Sequence, residues 1–233
     1  MRLSTISVML SVAAIATPIR SVHGNVVTST QEPRVYVRIP QTARYVGSDR
    51  WVLFGIANCQ LFAFVQPDSE KRVQRIYWVQ FEGYLPSMPK LQHEYRPTRH
   101  ATFAGMDFYV DTGLEHNDPS GTPSQDLRAL EAWIRAKGYA VPQGINTGSD
   151  EQHLDALLRA GGYSLPSSMM SVRFVHLLDN KRKELMIIYS ENLASTGLTI
   201  DDLSKGGEAR TLWLKISRLL VERAERAISI SVP

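Results

Sequence analysis

Apolar and polar residues alternate most persistently between Gln74 and Pro86, QRIYWVQFEGYLP. In an extended segment successive side chains point to opposite faces, so Ile76, Trp78, Gln80, Glu82 and Tyr84 share one face while Tyr77, Val79, Phe81 and Leu85 share the other. The second face reads as core. The first mixes two large rings with an amide and a carboxylate, as a ligand site does when a few polar groups orient a molecule over an apolar floor. The half-solvated face of an antiparallel sheet carries the same mixture without any ligand. Gly83 and Pro86 end the strand.

Other stretches repeat the period of two. Val35, Val37 and Ile39 alternate with Arg34, Tyr36 and Arg38 up to Pro40; Met106, Phe108 and Val110 alternate with Asp107, Tyr109 and Asp111 inside a strand expected over Thr102 to Asp111. The β-rich run Gln60 to Gln66 leads through Pro67-Asp68-Ser69-Glu70 into the 74–86 strand and predicts a hairpin. Trp51 to Ile56 suits either a strand or a helical turn. Ser171 to Leu178 and Glu184 to Ser190 flank the charged turn 179–183, which predicts a second hairpin, and the stretch from Glu184 to Tyr189 is apolar on both faces, as a central strand would be. Residues 17–32 read as a loose polar segment, 91–100 as a loop and 113–121 as a turn-rich connection.

Helices announce themselves by their ends. Thr122-Pro123-Ser124-Gln125 and Ser149-Asp150-Glu151-Gln152 are capping signals, and residues 130–142 align with 154–166, both ending in glycine, tyrosine and proline. The likeness is that of a local duplication or of two ordinary helix–glycine endings, and two copies are too few to build a repeat core. Thr199 to Asp202 caps a short helix that stops at Gly206-Gly207. A long amphipathic helix follows from about Ala209 to Ile228, with Leu212, Trp213, Ile216, Leu219, Leu220, Ala224 and Ala227 on its apolar stripe. Arg223 lies within that stripe, so it either snorkels out or meets a buried carboxylate such as Glu82. The expected fold is α+β: one mostly antiparallel sheet of about six strands packed on helices, forming a single domain over 33–233.

Composition fits one globular core: the chain has 233 residues, 43% hydrophobic and 21% charged. Its 26 Lys and Arg against 23 Asp and Glu are spread without a basic block, which gives no nucleic-acid signature. Residues 1–16 read as a secretory signal, with Arg2, an apolar stretch from Ile6 to Ile15 and the small-x-small site Ala14-Ile15-Ala16; a later cut near Gly24 is the alternative. The expected product is a bacterial protein, periplasmic or secreted, with no membrane span after cleavage. Cys59, the single cysteine, excludes an internal disulfide and reads as a buried, inert thiol.

Catalytic signatures are lacking: there is no GxSxG, HExxH, P-loop, CxxC or post-strand GxGxxG. The favoured expectation is therefore a non-enzymatic module that binds a small apolar or amphipathic ligand, or a protein partner, over Trp78, Gln80, Glu82 and Tyr84, with Asp107, Tyr109 and Asp111 added if the strands adjoin. The rival is a hydrolase or isomerase in which Glu82 works with Asp107 or His176, one group protonated and the other ionised. No cofactor is expected. His93, His100 and His116 are the histidine candidates for a metal, in a cluster with Glu94, Asp107, Asp111, Glu115 and Asp118, and their spacing is looser than known sites use.

Overall fold

The computed structural model describes residues 19–96, 99–117, 126–142 and 149–233. Its strands form two antiparallel sheets where the periodicity predicted one of about six strands. The smaller sheet contains β1 (Arg20–His23), β2 (Val26–Ser29), β3 (Val35–Arg38) and β11 (Ser229–Ser231), paired in that order. The larger contains β4 (Arg44–Leu53), β5 (Ala57–Pro67), β6 (Val73–Tyr84), β7 (Arg99–Phe103), β8 (Met106–His116), β9 (Ser168–Leu178) and β10 (Lys183–Asn192), in the spatial order β4-β5-β6-β10-β9-β8-β7.

Alternation reports which side of a strand is buried but not which sheet the strand joins, so 34–39 was indistinguishable from a strand of the main sheet. The segment read as loose holds β1 and β2, four residues each, folded over Gly24 at a φ of +56°. Such short Ser- and Thr-bearing strands give alternation too few positions to show itself. A signal cut after Ala16 would leave β1 whole, whereas one after Gly24 would remove it. Residues 1–16 themselves, and the capping signal at 122–125, lie outside the described residues.

Both expected hairpins form: β5 pairs with β6, and β9 with β10 around Asp179, Asn180 and Lys181, which all adopt positive φ. β10 lies at the centre of the large sheet, as its apolar run requires. On one face of that sheet Phe64, Tyr77, Val79, Phe174 and Ile187 pack with Val35 and Val37 of the small sheet. The C-terminal helix closes the same core. This helix, α4 (Gly206–Ala227), follows α3 (Ile200–Ser204) and buries Leu220, Val221 and Ala224, while Leu212 and Leu219 of the expected stripe stay exposed.

Two helices cover the opposite face. α1 (Asp126–Ala136) packs Ile134 on Ile56 and Leu91, and α2 (Asp150–Ala160) sets Leu154 and Leu158 on Trp51, Leu61, Val65 and Trp78. They end alike. Gly138 and Gly162 adopt φ of +84° and +71°, and the following Tyr139 and Tyr163 donate backbone N–H bonds to Ile134 and Leu158 carbonyls, each tyrosine ring lying under a lysine ammonium at 5.9 Å. The loop from Leu85 to Tyr95 is drawn onto the sheet by Arg182, whose guanidinium donates to the carbonyls of Met88 at 2.8 Å and Leu85 at 3.2 Å.

Candidate functional site

The face carrying Trp78, Gln80, Glu82 and Tyr84 is roofed over. α2 lies on it, so Trp78 is buried and Gln80 has no exposed surface at all. Gln80 accepts a hydrogen bond from Trp78 Nε1 at 2.9 Å and donates to Asp150 Oδ2 at 2.8 Å and to Glu82 Oε2 at 3.4 Å. The amide thus ties the sheet to the first residue of α2. Asp49 repeats that tie at the edge, its Oδ2 lying 2.7 Å from His153 Nδ1, while the His153 ring stacks on Trp51 at 4.1 Å.

Glu82 faces a second acid. Its direct partner across the β6–β10 ladder is Glu184, whose Oε2 accepts from the Tyr95 hydroxyl at 2.7 Å and lies 3.1 Å from His93 Nδ1. Glu82 keeps a little surface as a residue, but its carboxyl lies deep, with the Cys59 thiol donating to it at 3.4 Å. Burial, and then the neighbouring Glu184 and Asp150 charges, push its pKa well above the carboxylate range. Burial also raises Glu184 to about 7 and Asp150 to about 6, and lowers His93 to about 4, so that imidazole is neutral. The Cys59 thiol is pushed up by burial and by Glu82, which makes it unreactive.

Glu82 and Glu184 are thus neighbouring interior carboxyls, both raised by burial, each hydrogen-bonded to partners of its own. The pair differs from both expected ones. Asp107 stands on β8, three strands from β6, or roughly 14 Å at the usual ~4.8 Å strand spacing. It is exposed there and pairs with His100 at 3.0 Å. His176 projects from the other face of the sheet, beside Phe108, with Nδ1 2.8 Å from the Asp107 carbonyl oxygen. Neither reaches Glu82. Strand order decides this, and the sequence does not carry it.

Of the remaining candidates, Asp111 pairs with Arg173 at 3.1 Å, and Tyr109 approaches the acids only through Tyr95, at 6.1 Å between ring centroids. His93 is interior, His100 sits on the edge strand β7 and His116 ends β8. They are not brought together, and no three ligand-type side chains among the described residues form a set that could hold a metal ion. Arg223 does meet a buried carboxylate, but the partner is Glu191: Nε to Oε1 is 2.8 Å and Nη2 to Oε2 is 2.9 Å. Glu184 was the missed acid. A carboxylate opening a strand apolar on both faces must have partners once that strand is central.

A second site lies on the opposite face, where β1 overhangs the free edge of the large sheet. Here a cleft of about 400 Å³ opens between the sheets, lined by Arg20, Tyr45, Ser48, Arg50, Gln60 and Phe62. β4 is an edge strand, so its polar side chains reach into this space without interrupting a core. Gln60 was the legible clue: an amide inside an apolar strand, with no apolar reason to be there. No family model, no curated protein and no solved structure matches this chain.

Proposed function

We propose that the protein is a non-enzymatic binding module whose small-molecule ligand occupies the open cleft between β1 and the β4–β5 edge, rather than the face around Trp78. The carrying observation is the contrast between the two sites. Around Trp78 the polar groups engage one another beneath α2, and a ligand would have to break Gln80–Asp150 and Asp49–His153 to enter. The cleft needs no such opening. Its volume falls within the range of small-molecule pockets, and Phe62 and Tyr45 give it apolar walls beside the polar groups of Ser48, Arg50 and Gln60.

The expression of the full-length chain with its leader, in a host that exports it, supplies the test. The native mass of the purified product should exceed its denatured mass by one small molecule. Ser48→Trp, which fills the cleft with an indole on an edge strand, should abolish that excess while leaving the melting temperature near that of the parent. An excess that survives Ser48→Trp would place the ligand elsewhere and count against the reading.

A further inference from the structure

The cleft contains two guanidinium groups, and the one acid among its lining residues, Asp49, makes no ion pair with either. Arg20 reaches down from β1 with its Cζ 4.1 Å above the centre of the Phe81 ring, and its Nε is buried without a hydrogen bond among the described residues. Its other contacts are long: Nη1 to Gln60 Oε1 is 3.5 Å and Nη2 to the Glu32 carbonyl is 3.4 Å. Arg50 rises from β4 against the same Gln60. With the amide turned to face it, the Gln60 oxygen accepts from Arg50 Nη2 at 2.9 Å and Nε at 3.0 Å.

A glutamine has one carbonyl oxygen. Given to Arg50, it leaves Arg20 facing an NH2 group; given to Arg20, it leaves the Arg50 fork facing one. Neither arginine makes an ion pair within 4.0 Å among the described residues. The nearest acid in the lining, Asp49, directs one oxygen to the Arg50 backbone N–H at 2.7 Å and the other to His153. Burial, and then repulsion from Arg50, lowers the Arg20 pKa to about 10, as expected of two cations sharing a partly desolvated space. The ten N–H donor positions of the two planar forks meet two neutral acceptors among the described residues, the Gln60 amide oxygen and, at 3.4 Å, the Glu32 carbonyl.

Resting on the cleft as the binding site, we infer that its ligand is a small organic anion, a carboxylate or phosphate monoester whose oxyanion bridges Arg20 and Arg50 while an aromatic or short acyl body lies against Phe62 and Tyr45. Bidentate guanidinium–oxyanion bonds supply the acceptors that Gln60 cannot. The apolar walls account for a body beyond the head group.

Calorimetric titration of the full chain with phenyl phosphate, benzoate, inorganic phosphate and the neutral phenyl β-glucoside tests this. Phenyl phosphate and benzoate should bind, with the neutral glucoside and inorganic phosphate each at least tenfold weaker. Arg50→Gln and Arg20→Gln should each weaken phenyl phosphate about tenfold or more, and Arg50→Lys, which keeps the charge without the fork, should fall between parent and Arg50→Gln. Arg20 also packs on Phe81, so Arg50→Gln on the edge strand decides the matter if Arg20→Gln unfolds. Equal binding of phenyl β-glucoside, or affinity for phenyl phosphate unchanged in Arg50→Gln, would overturn the anion assignment and leave the cleft as the site. Equal binding of inorganic phosphate would remove the organic body from the proposal. No heat with any probe, charged or neutral, would sink the cleft reading as well.

Discussion

Raising the pH from 5 to 8 is expected to lower the melting temperature of the full chain by roughly 5–10 °C, because the interior acids Glu184, Asp150 and Glu82 hold their protons more tightly folded than unfolded. Burial is the first cause for all three. A carboxyl raised in the folded state contributes stability that is fully present below its ordinary value and is lost as pH climbs through the folded one. For Glu184 the loss runs from its ordinary 4.5 to about 7, and for Asp150 from 3.8 to about 6. Each unit is worth ~1.4 kcal/mol, so between pH 5 and 8 Glu184 alone accounts for about 2–3 kcal/mol. Two interior groups act oppositely: His93, lowered by burial to about 4, adds stability as pH rises to its ordinary 6.5 and offsets about 2 kcal/mol of the loss above pH 5, whereas Glu191, held below the carboxylate range by Arg223 and Tyr189 against its burial, matters only at lower pH. Stability should therefore peak in mildly acidic solution. Glu184→Gln keeps an oxygen for Tyr95 and His93 but cannot ionise, and it should flatten the slope between pH 5 and 8. A slope unchanged in that variant would show that Glu184 does not titrate with folding.

Arg223→Met should cost about 3 kcal/mol in denaturant unfolding at neutral pH. The bidentate pair with Glu191, in place of the Glu82 contact the sequence suggested, fastens α4 to the end of β10. Removing the guanidinium strands Glu191, which is 6% exposed, with only Tyr189 and the more distant Arg75 Nε at 3.7 Å. Most of the loss is thus the penalty of an uncompensated interior charge. It should be partly recovered when Glu191→Gln is added, because the stranded charge then disappears. Lysine at 223 would restore the charge but not the two-pronged geometry, giving an intermediate value. A single variant within ~0.5 kcal/mol of the parent would mean that solvent already screens the pair.

The local layer of this architecture was legible. The 74–86 strand, the two hairpins, the centrality of β10 and the glycine–tyrosine ends of α1 and α2 all followed from period, turn chemistry and capping. Assembly was not. Nothing in the alternation of 34–39 tells that β3 leaves the large sheet to pair with β2 and β11, or that β10 rather than β8 is the neighbour of β6. The consequences fell on the site. Glu82 stands out in the sequence, but its partner Glu184 reaches it only through the β6–β10 ladder, and period two says nothing about what lies on top of the strand. Arg20 went unread since it stands beside the expected signal segment, and Arg50 because an arginine on a polar edge strand looks solvated until β1 folds over it.

The most direct measurement is to follow arginine Nε–H and glutamine side-chain amide resonances of the full chain during titration with phenyl phosphate. If the ligand occupies the cleft between the sheets, the Arg20, Arg50 and Gln60 signals shift together, and those of Gln80 and the Trp78 indole stay fixed beneath α2. Shifts at Gln80 and Trp78 with unmoved Arg20 and Arg50 would contradict that assignment and return binding to the roofed face of the large sheet.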